Sequence, residues 1–425
     1  MLDLRGLRAD PDRFRTALSV RGAGGNVGAI DRVLELDEVR RAAITEADAL
    51  KARRNEVSRT IGEKKRAGED AEALILEMRE VGARISQLDA TVADADHEIQ
   101  ELLLVTPNLP LPEVEPGGEE DNELIRSWGE PLRHPFDARP HWELGETLGI
   151  LDLPRGAKVS GSGFPVLRGA GARLQRSLIE WMLQVHLDEH GYEEFHLPYL
   201  VTEESLTGTG QLPKFAEESY RTDRDGLWLI PTAEVPLTNL RRDEILSAEE
   251  LPIRYTSSTP CFRREAGAAG KDTRGLLRVH QFEKVELVRI EHPDRSRDAL
   301  EELTAEAETI LQRLGLSYRV VRLAAGDLGF SAALTYDLEV WAPGVERWLE
   351  VSSCSNFTDY QARRANIRFR PAPGEKPEFP HTLNGSALAL PRLMVAILET
   401  YQAEDGSVEI PEVIRDRMGL DRLVP

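Results

Sequence analysis

The stretch 261-CFRREAGAAGKDTRGLLRVHQFEKVE-286 decides how the rest of the chain is read. Two charged, strand-like flanks enclose a loop of small residues that carries Lys271, Asp272 and Arg274. The cations gather here although the formal net charge of the chain is -21. In an extended strand alternate side chains share a face, so Arg263 and Glu265 are expected to point together and Arg264 away. On the return flank Arg278, Phe282 and Glu286 are expected on one face. Such a hairpin offers cations to a phosphate, a ring to a purine and carboxylates to amino groups. It could equally make ordinary cross-strand ion pairs, each contributing roughly 0.2–1 kcal/mol. The stretch alone leaves both readings open.

Around it, helical segments (173–191 and 298–315) alternate with β-like runs (251–265, 279–290, 336–343 and 346–357). Consecutive strands with helices grouped between them predict an α+β domain built on an antiparallel sheet. Upstream, the proline- and glycine-rich 106-TPNLPLPEVEPGGEEDN-122 marks a linker. The expected division is therefore 1–105, linker 106–122 and a larger domain 123–425.

The first of these regions has coiled-coil spacing. Val33, Leu36, Ala43, Ala47, Leu50, Val57 and Ile61 recur in threes and fours, with Arg40 and Arg54 interrupting. Leu74, Met78, Val81, Ile85, Leu88, Val92, Ala95, Ile99 and Leu102 continue the pattern after the turn 66-RAGED-70. Two antiparallel helices follow, each on the order of 50 Å long at the helical rise. Residues 51–66 hold seven cations against two anions. They either solvate the hairpin or, through Arg54, Arg59, Lys64, Lys65 and Arg66, grip a polyanion backbone in a salt-sensitive way. Few aromatics lie there, so phosphate and shape recognition fit better than base stacking.

Composition narrows the class. The charged start, MLDLRGLRADPDRFRTALSV, has no apolar core of a signal peptide, and no apolar run approaches a membrane span, so a cytoplasmic protein is expected. Cys261 and Cys354 stand far apart without a metal-ligand pattern and read as buried packing. The acidic total argues against indiscriminate nucleic-acid binding, and DNA is not an expected partner. P-loop, GxGxxG, HExxH, GxSxG and HxGH patterns are missing, so ATP, if used, must be held by other means.

FRRE, a small-residue loop and RVHQFEKVE together resemble motif 2 of class II aminoacyl-tRNA synthetases. The segment 171–201, a long helix leading to Pro198, resembles motif 1, the dimerisation element, and 383-LNGSALALPRLMVAILE-399 resembles motif 3 with Arg392 as its arginine. With 231-PTAEVPL-237, 349-LEVSSCSNFTDYQARR-364 and the N-terminal hairpin, the chain resembles the bacterial-type seryl-tRNA synthetases over essentially its whole length. One departure is Pro391, where the family often has a smaller residue; proline suits a first helical turn.

The resemblance implies adenylation of L-serine by ATP, then transfer to the 3′ end of tRNA(Ser) and, where one exists, tRNA(Sec). It places Arg263 on the α-phosphate, Arg392 on the γ-phosphate and Arg278 along the phosphate tail, with Arg263, Arg392 and Glu350 as the catalytic set. Phe282 would stack on adenine and Glu265 take its amino group. Arg264 belongs to the family triplet 263–265, although alternation turns it away. Glu350 and Ser353 would hold Mg²⁺, while Val279, Val351 and Ser352 would meet the nucleotide through their backbone. Thr232, Ala233, Glu234, Glu286, Asn384 and Ser386 would form the serine pocket, with Arg263 shared between the sites. Lys271 and Arg274 would meet the tRNA acceptor end, the hairpin would grip the long variable arm, and the enzyme would be a homodimer. An adenylating homologue that loads a carrier protein and a noncatalytic interaction protein are the alternatives.

Overall fold

In the computed structural model, which describes residues 1–266 and 274–425, the three-four spacing of the N-terminal region becomes two long helices. Helix α1 runs Val27–Ala67 and α2 runs Glu72–Leu104. Gly68 ends α1 in a left-handed conformation, φ 75°, its N–H reaching the carbonyls of Lys64 and Lys65. Lys64, Lys65 and Arg66 occupy the last turn, where cations meet the negative end of the helix dipole. Ala43, Ala47 and Leu88 form one packed cluster, with Leu50 and Val92 against it. The seam differs from the expected one at its end: Leu103 is buried and Leu102 only half-buried, a step of four from Ile99. Arg40 does more than interrupt the seam. It and Arg41 bond the fully buried carboxylate of Asp37 at 3.0 Å each, and Arg8 approaches the same group at 3.3 Å.

The described residues form two compact units, one of Leu2–Ser19 with Ala23–Pro107, the other of Asn108–Pro425 with Met1 and Val20–Gly22. The stretch expected as a linker therefore lies, from Asn108 on, within the larger unit. Leu111 N–H bonds the Ala333 carbonyl, and the carbonyls of Glu115 and Gly117 accept from Ala325 and Gly326, all at 2.8 Å.

The larger unit is built on an eight-stranded sheet: β1 (Glu123–Trp128), β2 (Glu193–Glu194), β3 (Ile253–Phe262), β4 (Gln281–Glu291), β5 (Tyr318–Arg322), β6 (Leu334–Ala342), β7 (Arg347–Asn356) and β8 (His381–Ala389). The spatial order is β1-β5-β6-β7-β8-β4-β3-β2. Every pairing is antiparallel except the short outer pair β2–β3. Among the helices that pack on it, the longest are α3 (Ala170–Glu189), α4 (Ser296–Arg313) and α5 (Leu390–Thr400). Gly385 shows which face α4 covers, since a Cβ there would lie 3.0 Å from Cys354 Sγ and 3.1 Å from Leu303 of α4. Its neighbours Asn384 and Ser386 point to the other face by alternation. Both cysteines are fully buried thiols, and among the described residues no helix is long and apolar enough to cross a membrane.

Candidate active site

On the face opposite α4 the sheet floors a cavity of about 580 Å³, a size that suits a cofactor-sized ligand. Two register breaks shape it. The β7–β6 pairing shifts between Glu350 and Ser352, so Glu350, Val351, Ser353 and Ser355 all line the cavity. The β8–β4 pairing shifts between Ser386 and Ala389, just before α5 delivers Arg392 from its first turn. Pro391 stands in that same turn and also lines the cavity.

One end of the cavity is a buried polar floor. Asn384 donates from its amide nitrogen to Glu286 Oε1 at 2.8 Å and to Glu234 Oε2 at 3.2 Å. Lys284 Nζ bonds Thr232 Oγ1 at 2.9 Å and pairs with Glu286. The two carboxylates thus share the Asn384 amide, and the Lys284 ammonium pairs with Glu286. Burial, and next the charge of Glu286, push the Glu234 carboxyl up to about 7.

The other end is more open and carries the arginines. Arg263 lies over the Phe282 ring, 5.2 Å from its centroid. Arg278 pairs with Glu265 at 2.5 Å. Arg392 donates to the Glu350 carbonyl at 2.9 Å and to the Leu277 carbonyl at 3.2 Å, and its Nη1 lies 3.4 Å from Glu350 Oε2. Asp337, opposite Ser353 on β6, is pushed well up by burial and then by Glu350, and its Oδ1 has no hydrogen-bond partner among the described residues.

The cavity brings together Thr232, Glu234, Arg263, Glu265, Arg278, Val279, Phe282, Glu350, Val351, Ser353, Asn384, Ser386 and Arg392. Arg264 stays outside it, as alternation anticipates, but for another reason: β3 ends at Phe262, and Glu265 turns the chain with φ 52°. Arg264 instead donates to the Glu217 carbonyl at 3.1 Å. Arg278 likewise precedes β4 and reaches the cavity from a loop. Ser352 faces away, buried, its hydroxyl on the Ser386 carbonyl at 2.6 Å. Ala233 and Glu286 are fully buried and lie behind the lining. Arg274 sits 4.5 Å above the Trp142 ring, and Lys271 falls outside the described residues.

Sequence reasoning gave no role to Lys284, although its alternation with Phe282 and Glu286 was available to find it. Gln361, which donates to Glu234 Oε1 at 2.6 Å, was also missed. So were Arg21 and Asn108. Arg21 donates to the Asn108 and Leu328 carbonyls at 2.8 and 3.2 Å, and Asn108 Nδ2 to the Ser331 carbonyl at 2.9 Å, bracing the wall that carries Phe330 and Ser331. Nothing local in the sequence signals contacts so distant in the chain.

The same division appears among known proteins. A family model described as the seryl-tRNA synthetase N-terminal domain matches residues 1–110, and the class II core domain of the G, H, P, S and T tRNA synthetases matches 216–401. A serine–tRNA ligase of Gemmatimonas aurantiaca is 56% identical over 99% of both chains. The crystal structure of Pyrococcus horikoshii seryl-tRNA synthetase complexed with ATP superposes with TM-score 0.96 at 39% identity, covering 100% of each chain. Cytoplasmic serine–tRNA ligase of Naegleria fowleri in complex with AMP gives 0.87 at 32%, covering 98% of this chain and 96% of that one. Likeness at this identity runs through arm, sheet and cavity alike, and the chain belongs to the seryl-tRNA synthetase family of class II aminoacyl-tRNA synthetases.

Proposed function

We propose that this chain is a serine–tRNA ligase whose 580 Å³ cavity takes L-serine at the Glu234–Asn384 end and ATP at the arginine end. The observation that carries the reading is the adjacency, in one cavity, of a buried acidic floor and three guanidinium groups, Arg263, Arg278 and Arg392.

The first step is in-line attack of the serine carboxylate on the α-phosphorus, forming an O–P bond as the bond to pyrophosphate breaks. The carboxylate is ionised at neutral pH, so no general base is needed. Positioning and charge stabilisation carry the step. Arg263 faces the α-phosphate and the serine carboxylate, and Arg392 the γ-phosphate. Arg278 must exchange Glu265 for phosphate oxygens, which frees Glu265 for the adenine amino group above Phe282. Val279 and Val351 border the nucleotide.

Glu350 and Ser353 fit a magnesium ion, being oxygen donors of one strand that both line the cavity. Among the described residues no three His, Cys, Asp or Glu side chains form a cage, which suits an ion that keeps waters and phosphates as ligands. Bound there, the ion would neutralise phosphate charge.

Glu234 meets the serine ammonium, while Thr232, Ser386 and the Asn384–Glu286 pair shape the hydroxymethyl pocket. A site built to bond a hydroxyl rejects alanine, because its own polar groups would be left unpaired. In the second step the 3′-hydroxyl of the tRNA attacks the activated carbonyl, forming an ester and releasing AMP. Arg54, Arg59 and Lys65 are exposed and make no ion pair among the described residues, which supports a phosphate-gripping role for the hairpin. On this reading tRNA(Ser), and tRNA(Sec) where one exists, are the substrates held by the arm, and the motif 1 resemblance makes α3 the dimerisation helix.

Serine-dependent exchange of labelled pyrophosphate into ATP by the pure protein with magnesium tests the reading. No exchange above background refutes it. Charging of tRNA(Ser), with and without its variable arm, separates a synthetase from a carrier-loading enzyme, and sedimentation tests the dimer.

A further inference from the structure

Behind the cavity, the short helix Tyr360–Arg364 carries a fully buried amide side chain, Gln361. Its Nε2 donates to Glu234 Oε1 at 2.6 Å and to the Thr209 carbonyl at 3.1 Å. Its Oε1 accepts from the Thr382 hydroxyl at 2.7 Å. The amide can face only one way. Two acceptors on one side require the NH₂ group there, and Thr382 is left to donate to the oxygen. Thr382 stands on β8, two residues before Asn384, whose amide takes the other Glu234 oxygen. Both oxygens of Glu234 are thereby fixed, Oε1 from behind the lining and Oε2 from within it, while the residue still lines the cavity.

We propose that Gln361 is a positioning residue for serine: it fixes the Glu234 carboxylate and, through the Thr209 carbonyl, ties it to the 209–211 wall of the cavity. This rests on the reading that Glu234 meets the substrate ammonium. Gln361 is not itself part of the cavity lining and reaches the cavity through Glu234 and Thr209, which are. Its amide also favours the ionised form of Glu234 against the burial that opposes it. Losing Gln361 leaves Glu234 Oε1, the Thr209 carbonyl and the Thr382 hydroxyl without that partner, in a buried place where such a loss is costly.

The test is pyrophosphate exchange with full-length Gln361→Met and Thr382→Val, measuring KM for serine and for ATP separately, with thermal unfolding beside them. Gln361→Met is expected to raise KM for serine by about tenfold, one hydrogen bond to a charged group being worth that much, with KM for ATP within about twofold. The midpoint of the pH dependence of serine KM should move up, because the ionised form has lost a donor. Thr382→Val should shift serine KM in the same direction by less. If both Michaelis constants move together, or neither moves while the melting temperature falls, Gln361 is only structural and the inference is overturned. If Gln361→Met does not fold, Thr382→Val decides alone. Wild-type protein without serine-dependent exchange refutes the serine reading itself, and this inference with it.

Discussion

Cations meet carboxylates both along the helical hairpin and beneath the cavity, and the same side chains do different things in the two places. On the hairpin, Lys51–Asp89 at 2.8 Å and Lys64–Glu69 at 3.1 Å are open to solvent. Such pairs contribute little, and salt screens them. At the cavity floor, Lys284, Glu286 and Glu234 are buried, where breaking a pair leaves an uncompensated charge. Burial, more than distance, sets what an ion pair is worth. The hairpin itself repeats the contrast, since Asp37 is fully buried among Arg8, Arg40 and Arg41.

The comparison breaks most readily at Lys284. Replacing it by methionine keeps volume but strands Glu286, and a cost of about 3–5 kcal/mol in denaturant unfolding is expected. Serine-dependent exchange should be lost as well. A cost no larger than that of a surface pair would show that the floor is not a low-dielectric site. Next in size, Arg392→Ala removes a donor aimed at developing charge, and kcat for exchange should fall by about 10²–10³-fold. Retention of full kcat would remove Arg392 from the catalytic set.

Glu234 sharpens the comparison through pH. Its folded value of about 7 lies above the ordinary 4.5. Stability tied to its neutral form is therefore fully present below about pH 4.5 and is lost as pH rises through about 7. Measured from pH 5 to 8, wild type should lose stability relative to Glu234→Gln. Binding runs the opposite way, because the ammonium needs the carboxylate. KM for serine should fall by about tenfold per pH unit below the midpoint and level off above it. A flat profile, or one unchanged in Glu234→Gln, would mean that the group does not titrate where burial places it.

Legibility in the sequence follows the same divide. The hairpin is written locally: its spacing, the turn ended by Gly68 and the basic run 51–66 could be read from neighbours in the chain, while the exchange of Leu102 for Leu103 and the burial of Asp37 could not. Four strands of the sheet, β3, β4, β6 and β7, were legible by pattern, and the motif residues by resemblance, whereas β1, β5 and β8 were not read as strands. What alternation could not supply was the bulge after Glu350, which aims Val351 and Ser353 into the cavity and Ser352 away from it. Nor could it supply Gln361, Arg21 or Asn108, whose partners lie 127, 87 and 223 positions away. Hydrogen bonds of that span exist only once the fold has formed.

The smallest effects are expected on the hairpin, and they separate its two kinds of cation. Neutralising Arg54, Arg59 and Lys65 should weaken tRNA binding across sequences and reduce the slope of log affinity against log salt by about 1 for each phosphate that is no longer neutralised. Folding should hardly change, because these side chains form no ion pair among the described residues. Lys51 is the control. Its side chain is 40% exposed and already engaged by Asp89, so a double-mutant cycle of Lys51→Gln with Asp89→Asn should give a coupling of at most about 1 kcal/mol, fading with added salt. The salt slope for tRNA should stay put in Lys51→Gln. A drop in that slope equal to the one at Lys65 would mean that pairing across the hairpin does not withhold a cation from phosphate, and the basic helix would then act as one undivided patch of charge.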